Sequence, residues 1–316
     1  SAASDVYKRQ GADGEQPISQ TPTASITEET TENNPPEKNY AELLRKMQRM
    51  NDPAYLPTIS MNELYENVYQ SRPPVIDGLL YPGTYLFAGA PKVGKSFLMA
   101  QLAYHVSMGL PLWDYPVHKG TVLYLALEDD HRRLQERLYR MFGMDGTNDL
   151  LFSICAKQVG NGLEEQLKRF VQEHPDTKLI IIDTLQKIRE AGGDKYSYAN
   201  DYEVVGKLKR LADACGVCLL LVHHTRKQQA DDKFDMISGT NGLSGAADGA
   251  FLLQKEKRTD GTATLDVVGR DQQDQRLYLI KDKEHLTWTL ERMETELWVE
   301  PVSYTHLRAH ETLMNL

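Results

Sequence analysis

Apolar and polar positions along this chain fall into three regimes. Residues 11–38 are mostly Thr, Glu, Pro, Asn and Gln with almost no large apolar side chain. Such a segment cannot bury enough surface to offset the cost of ordering, so disorder is predicted there. Over 39–73 helical spacing appears twice. Leu43, Leu44 and Met47 share one face of a predicted helix over 40–50 that Pro53 ends, and Ser60 with Glu63 makes a capping box ahead of Leu64 and Val68. Pro73-Pro74 then leads into the third regime, 74–301, where short apolar runs alternate with helical patterns.

Strands are predicted over 84–88, 121–127, 179–182 and 217–222, all apolar throughout. Helices are predicted over 97–104, as an amphipathic segment, and over 130–141 (stopped by Gly143), 162–171 and 201–214. Continuous apolar strands alternating with helices indicate a parallel sheet covered on both faces, an α/β fold. After Gly249 the pattern shifts to short strands over 250–254, 263–268, 277–280 and 286–290, joined by polar turns such as Thr259-Asp260-Gly261. They read as β-hairpins extending the sheet.

Composition changes this picture little. The chain has 316 residues, 41% hydrophobic and 26% charged, and a formal net charge of -9. That balance argues against a protein coated in basic charge but permits a local basic channel. No apolar run approaches the ~20 residues that cross a bilayer, and no signal-peptide order opens the chain, so a cytoplasmic protein with no membrane contact is expected. Three cysteines do not make a disulfide scaffold. In Cys215-Gly216-Val217-Cys218, Gly216 reads as a helix stop and both thiols as small packing groups. Residues 1–10 and 302–316 resemble translated sequencing-adapter read-through and are set aside, so the native termini are expected to be missing.

The strongest chemical signal is Gly89-Ala90-Pro91-Lys92-Val93-Gly94-Lys95-Ser96, a G-x-x-x-x-G-K-[ST] loop between a strand and a helix. Glycines let several N–H groups turn inward toward phosphate, and the helix adds its positive end. Lys95 would reach the outer phosphates of a nucleoside triphosphate and the Ser96 hydroxyl would take one position on Mg²⁺. In an open parallel sheet ligands bind beyond the carboxyl ends of the strands, which directs attention to the residue after each apolar run. Asp183 follows 179–182 and is placed to orient Mg²⁺; Glu128 ends 121–127 and suits activation of a water, with Asp129 and Asp130 as competing acids. Asp130 also reads as a helix cap. After 217–222 comes His223-His224-Thr225-Arg226-Lys227, where a histidine can sense the γ-phosphate. His223 is preferred to His224, and adjacent strand residues point to opposite faces, which disfavours a shared metal ion.

Together, the loop 89–96, the run ending in Glu128-Asp129, the pairs Arg133-Leu134 and Arg137-Leu138, Ile180-Ile181-Ile182-Asp183 and His223 to Lys227 resemble the RecA-like ATPases of the plasmid RepA type, which are hexameric replicative DNA helicases. The resemblance runs from about residue 74 to 290. It implies ATP and Mg²⁺ as ligands, a homo-oligomeric ring, single-stranded DNA and replication proteins as partners, and a nucleotide shared between subunits. Lys95 and Ser96 would hold phosphate and Mg²⁺, Glu128 would activate water, Asp183 would organise the metal, and His223 or His224 would sense the γ-phosphate. The neighbour's Arg270 best matches the arginine finger. Loops carrying Lys187, Arg189 and Lys195, then Arg226, Lys227 and Lys233, would track DNA, with glycines at 192, 193, 239, 242 and 245 for mobility, although Asp231, Asp232 and Asp235 dilute the second. The expected function is an ATP-driven helicase of a plasmid, phage or mobile element. A recombination or repair ATPase that does not unwind, and an ATP-dependent regulatory or scaffold protein, are the alternatives.

Overall fold

A computed structural model describes residues 40, 44–45, 47–67, 72–189, 198–225, 233–237, 242–257 and 259–295. The chain divides into two compact units, Ser1–Tyr69 and Gln70–Leu316. In the first, residues 47–50 are helical and helix α1, Met61–Glu66, is closed by the predicted capping box. The Ser60 hydroxyl accepts from the Glu63 N–H at 3.2 Å, and the Ser60 N–H donates back to the Glu63 carboxylate at 2.8 Å. None of its residues is buried. Leu43 and Val68, and the segments 1–39 and 296–316, lie outside the described residues.

The second unit is built on a nine-stranded sheet in the order β3-β2-β4-β5-β1-β6-β7-β8-β9. The strands are β1 (Gly83–Gly89), β2 (Thr121–Ala126), β3 (Leu150–Ser153), β4 (Thr177–Asp183), β5 (Cys218–His224), β6 (Gly249–Gln254), β7 (Thr262–Gly269), β8 (Gln275–Lys281) and β9 (Trp288–Thr295). The first six in spatial order, from β3 to β6, are parallel; β7, β8 and β9 follow as antiparallel neighbours. The helices are α2 (Lys95–Met108), α3 (His131–Phe142), α4 (Leu163–Glu173), α5 (Tyr198–Cys215) and α6 (Gly242–Ala246). The predicted α/β architecture with a C-terminal antiparallel extension is therefore present.

Strand alternation splits the interior in two. On one face Tyr85, Phe87, Tyr124, Ile181 and Val222 pack with α2, α3 and the fully buried Trp288. On the other, Leu86, Ile180, Ile182, Leu219 and Leu221 pack with α4, α5 and α6. Having both faces covered is why β1, β2 and β4 carry scarcely a polar residue. At the end of α5, Gly216 adopts the left-handed conformation (φ 72°) and donates to Ala212 O at 2.8 Å, while Cys218 lies in the core on the α2 face of the sheet and Cys215 packs against the core on the other face. No helix among the described residues is long and apolar enough to cross a membrane.

Four local expectations change. Edge strand β3 is absent from the sequence reading because it is four residues long and only half buried, too short for a period to show. Strand β6 pairs parallel with β1 as well as antiparallel with β7, so it closes the parallel part of the sheet and opens the first hairpin. Leu286 has φ 59° and belongs to a turn, which moves the last strand to Trp288–Thr295. Helix α2 is not amphipathic: Leu98, Met99, Gln101, Leu102, Val106 and Ser107 are all buried, because the β8–β9 region covers the flank that the sheet does not. Gln101 shows this best, donating to Trp288 O at 2.8 Å and accepting the Trp288 N–H at 2.7 Å.

Candidate nucleotide site

The glycine loop joins β1 to α2, and Gly94 caps the helix with φ 112°, a conformation L side chains rarely adopt. A Cβ there would also lie 2.8 Å from Cζ2 of Trp288, so the tryptophan supports the loop from beneath. Lys95 opens α2 and is 6% exposed. Its ammonium donates to Gly89 O at 2.8 Å and Ala90 O at 3.1 Å and meets Nδ1 of His224 at 3.1 Å. Burial lowers the lysine pKa to about 8, against the opposing pull of Asp183 and Glu128. Since an ammonium only donates, Nδ1 of His224 accepts and the ring proton sits on Nε2.

Beside Lys95, the Ser96 hydroxyl donates to Oδ2 of Asp183 at 2.7 Å, and the same oxygen accepts from the Tyr124 hydroxyl at 3.0 Å. Burial raises the Asp183 pKa, and these two hydrogen bonds oppose it. Strands β2 and β4 are neighbours with Ala126 opposite Asp183, so Glu128 lies over the adjoining strand tip. Its carboxylate accepts from the Thr184 hydroxyl at 3.3 Å. Asp130 caps α3 through the Arg133 N–H at 2.8 Å, and Asp129 forms a two-pronged pair with Arg137 at 2.7 and 3.1 Å. Those partners engage the two competing acids, Asp129 while it still lines the cleft, and leave Glu128 as the one of the three without an ion pair among the described residues.

Lys95, Ser96, Glu128, Asp129, Asp183, Thr184 and His224 line one cleft of about 510 Å³, together with Pro91, Lys92, Gly94, Phe97, Arg137 and Lys281. Ser96 and Asp183 fit Mg²⁺: a hydroxyl and a carboxylate held in contact are hard oxygen donors, and this ion takes few protein ligands and completes its shell with water and phosphate. Among the described residues no group of three or more His, Cys, Asp or Glu side chains forms a metal cage, and an ion shared with phosphates needs none.

The histidines exchange places. Strand β5 runs to His224, so alternation puts His224 on the face of Val222, in the cleft, and His223 on the opposite face with Leu221. His223 is pushed down to about 3, by burial first and then by Arg189. The preference for His223 is thus reversed by two extra strand residues. Arg189 is corrected as well: it is buried and ion-paired with Asp201 at 3.1 Å, the side chains being 6% and 3% exposed, which removes it from any surface that could follow DNA. Lys187 is exposed on the short 3-10 turn Leu185–Ile188. Arg226, Lys227 and Lys195 lie outside the described residues, as do glycines 192, 193 and 239, whereas Gly242 and Gly245 belong to α6. Arg270 follows β7 at the opposite end of the sheet from Lys95, where its N–H donates to Asp248 O at 2.9 Å and its side chain is 65% exposed. It does not join the cleft of its own chain.

Tyr124, Thr184 and Lys281 were missed. An aromatic hydroxyl inside an apolar strand requires a partner, which is the signal Tyr124 carried. Lys281 ends an apolar run, as Asp183 does, but on a strand whose direction the sequence did not reveal.

A family model described as an AAA domain matches residues 50–230, more than half of the chain. No curated protein matches. Among solved structures, the chain is similar to one described as an ATPase domain, at 14% identity and TM-score 0.57, covering 81% of this chain and 99% of that one. It is also similar to a DnaB-like replicative helicase described with its interactions with primase (15% identity, TM-score 0.55, covering 79% and 71%). A third likeness is to the KaiC-like protein PH0186 from the hyperthermophilic archaeon Pyrococcus horikoshii OT3 (15%, TM-score 0.51, covering 71% and 98%). At such identities these likenesses describe the fold.

Proposed function

Because the chain belongs to the AAA-domain family, we propose that it is an ATP-hydrolysing RecA-like motor, a ring-forming DNA helicase of the RepA type serving a plasmid, phage or mobile element. The observation that supports the chemistry is the convergence of Lys95, the Ser96–Asp183 pair and Glu128 in one cleft at adjacent strand tips. Loop amides and Lys95 bind the triphosphate. Ser96 and Asp183 hold Mg²⁺, which when bound neutralises phosphate charge. Glu128 orients a water and takes its proton, with Thr184 fixing one carboxylate oxygen. His224, against Lys95, reports loss of the outer phosphate to β5 and the loop beyond. Arg270, exposed at the far end of the sheet, serves the site of a neighbouring copy, and Lys187 contacts DNA.

The unwinding role draws support from the likeness to the DnaB-like replicative helicase. An ATP-dependent regulatory protein is the second reading, since a nucleotide cleft by itself does not require DNA. In Glu128→Gln, nucleotide binding is retained and turnover falls at least ~100-fold, as expected for losing a positioned base; undiminished turnover by phosphate release would remove Glu128 from that role. Turnover stimulated by single-stranded DNA together with strand displacement identifies a helicase. Stimulation without displacement indicates a recombination or repair ATPase, and no stimulation favours the regulatory reading.

A further inference from the structure

The cleft has a wall that the glycine-loop motif does not supply. Strand β8 runs antiparallel to β7, which runs antiparallel to β6, so β8 regains the direction of β1 and its carboxyl end returns to the loop edge. Lys281 ends that strand and lines the cleft. Its Nζ sits 4.0 Å from the centroid of the Phe97 ring, one residue beyond Ser96, and 5.7 Å from that of Trp288. Arg137 approaches the same Phe97 ring at 5.4 Å. Two cations therefore meet at one aromatic ring beside the start of α2. Arg137 is already paired with Asp129. Lys281 has no carboxylate within ion-pair distance among the described residues, and the charges acting on it, Lys255 and Arg140, are both positive. Burial is the main force pushing its pKa down, and these two cations add to it. Arg140 also donates to Lys283 O at 2.8 Å and Glu284 O at 2.9 Å, tying the turn after β8 to α3 and holding this wall in place.

A half-buried ammonium without a carboxylate partner, in a cleft already carrying phosphate donors, is matched by an anionic oxygen of the ligand. We infer that Lys281 is a second phosphate-binding lysine of the same chain, contacting the inner phosphate of a bound nucleoside di- or triphosphate where it leaves the loop beside Phe97. This rests on the nucleotide reading above. The position follows from what each lysine meets: Lys95 contacts Gly89 O, Ala90 O and His224, while Lys281 and Arg137 meet the ring of Phe97, the residue after Ser96.

The test is equilibrium binding of a fluorescent ADP and a non-hydrolysable ATP analogue to the full chain. Lys281→Met keeps an apolar stem on Phe97 and loses the charge; Lys281→Gln is a second neutral variant, and Lys281→Arg restores a cation. Both neutral variants should weaken ADP and the ATP analogue alike by about tenfold, the scale of one lost charge-assisted contact. The loss should shrink as salt rises, and Lys281→Arg should recover most of it, with thermal unfolding of the nucleotide-free variants near wild type. Unchanged affinity in the neutral variants, with wild type binding, overturns this inference alone. A loss confined to the triphosphate overturns the inner-phosphate contact. Failure of the folded wild-type chain to bind either nucleotide overturns both this inference and the reading it rests on.

Discussion

The parallel and antiparallel halves of the sheet build opposite walls of one cleft by different means. In the parallel half, each of β1, β2, β4 and β5 ends at the same edge and places a functional group at its tip or just beyond: the loop, Glu128, Asp183 and His224. Position along the chain therefore maps directly onto position in space. In the antiparallel half successive strands end at opposite edges. Lys281 returns to the cleft while Arg270 is carried to the far end. A polar residue after an apolar run has one meaning in the first half and two in the second, and only strand direction distinguishes them.

Three substitutions probe this contrast. The largest stability effect is expected from Trp288→Ala in the antiparallel half. Trp288 is fully buried against α2, and removing a buried aromatic costs about 3–5 kcal/mol. Urea unfolding measures this, and a change below about 1 kcal/mol, within the range of a surface substitution, would show that β9 is not part of the core that holds the loop. Next comes Lys95→Met in the parallel half. Losing the buried ammonium that meets the phosphates in the proposed function should weaken nucleotide binding by ~100-fold, since each hydrogen bond to a charged group contributes about 1.5–3 kcal/mol. Calorimetric titration with ADP reads it, and an affinity loss no greater than that of the neutral Lys281 variants would make the two walls equivalent. The smallest effect belongs to Tyr124→Phe. Ser96 still donates to Asp183, so folding and nucleotide affinity are largely kept, while the Mg²⁺ concentration for half-maximal turnover rises about tenfold, as for other residues that orient a metal ligand. An unaltered Mg²⁺ requirement would make Tyr124 a packing residue only.

Much of the parallel half was legible because apolar strands covered on both faces announce themselves, and glycines at 89 and 94 with Lys95 and Ser96 have few other uses in that order. The positions of Asp183 and Glu128 on neighbouring strand tips follow from the same pattern. What stayed hidden did so for identifiable reasons. Strand β3 is too short to carry a period. The end of β5 moved by two residues, and a two-residue extension decided which histidine enters the cleft. Arg189 looked like a loop cation because its partner Asp201 lies twelve residues further on, in the first turns of the next helix, and local pattern does not show that the two side chains meet.

From the chain alone came the α/β class, the phosphate-binding loop and the set of acidic residues from which the site is drawn, all properties of local pattern and spacing. Folding alone decided which member of each set faces the cleft. Side-chain direction depends on where a strand stops, and a charge is free or engaged according to residues distant in sequence. Asp129 is taken by Arg137 and Arg189 by Asp201, while Lys281 is delivered to the cleft by two reversals of the chain.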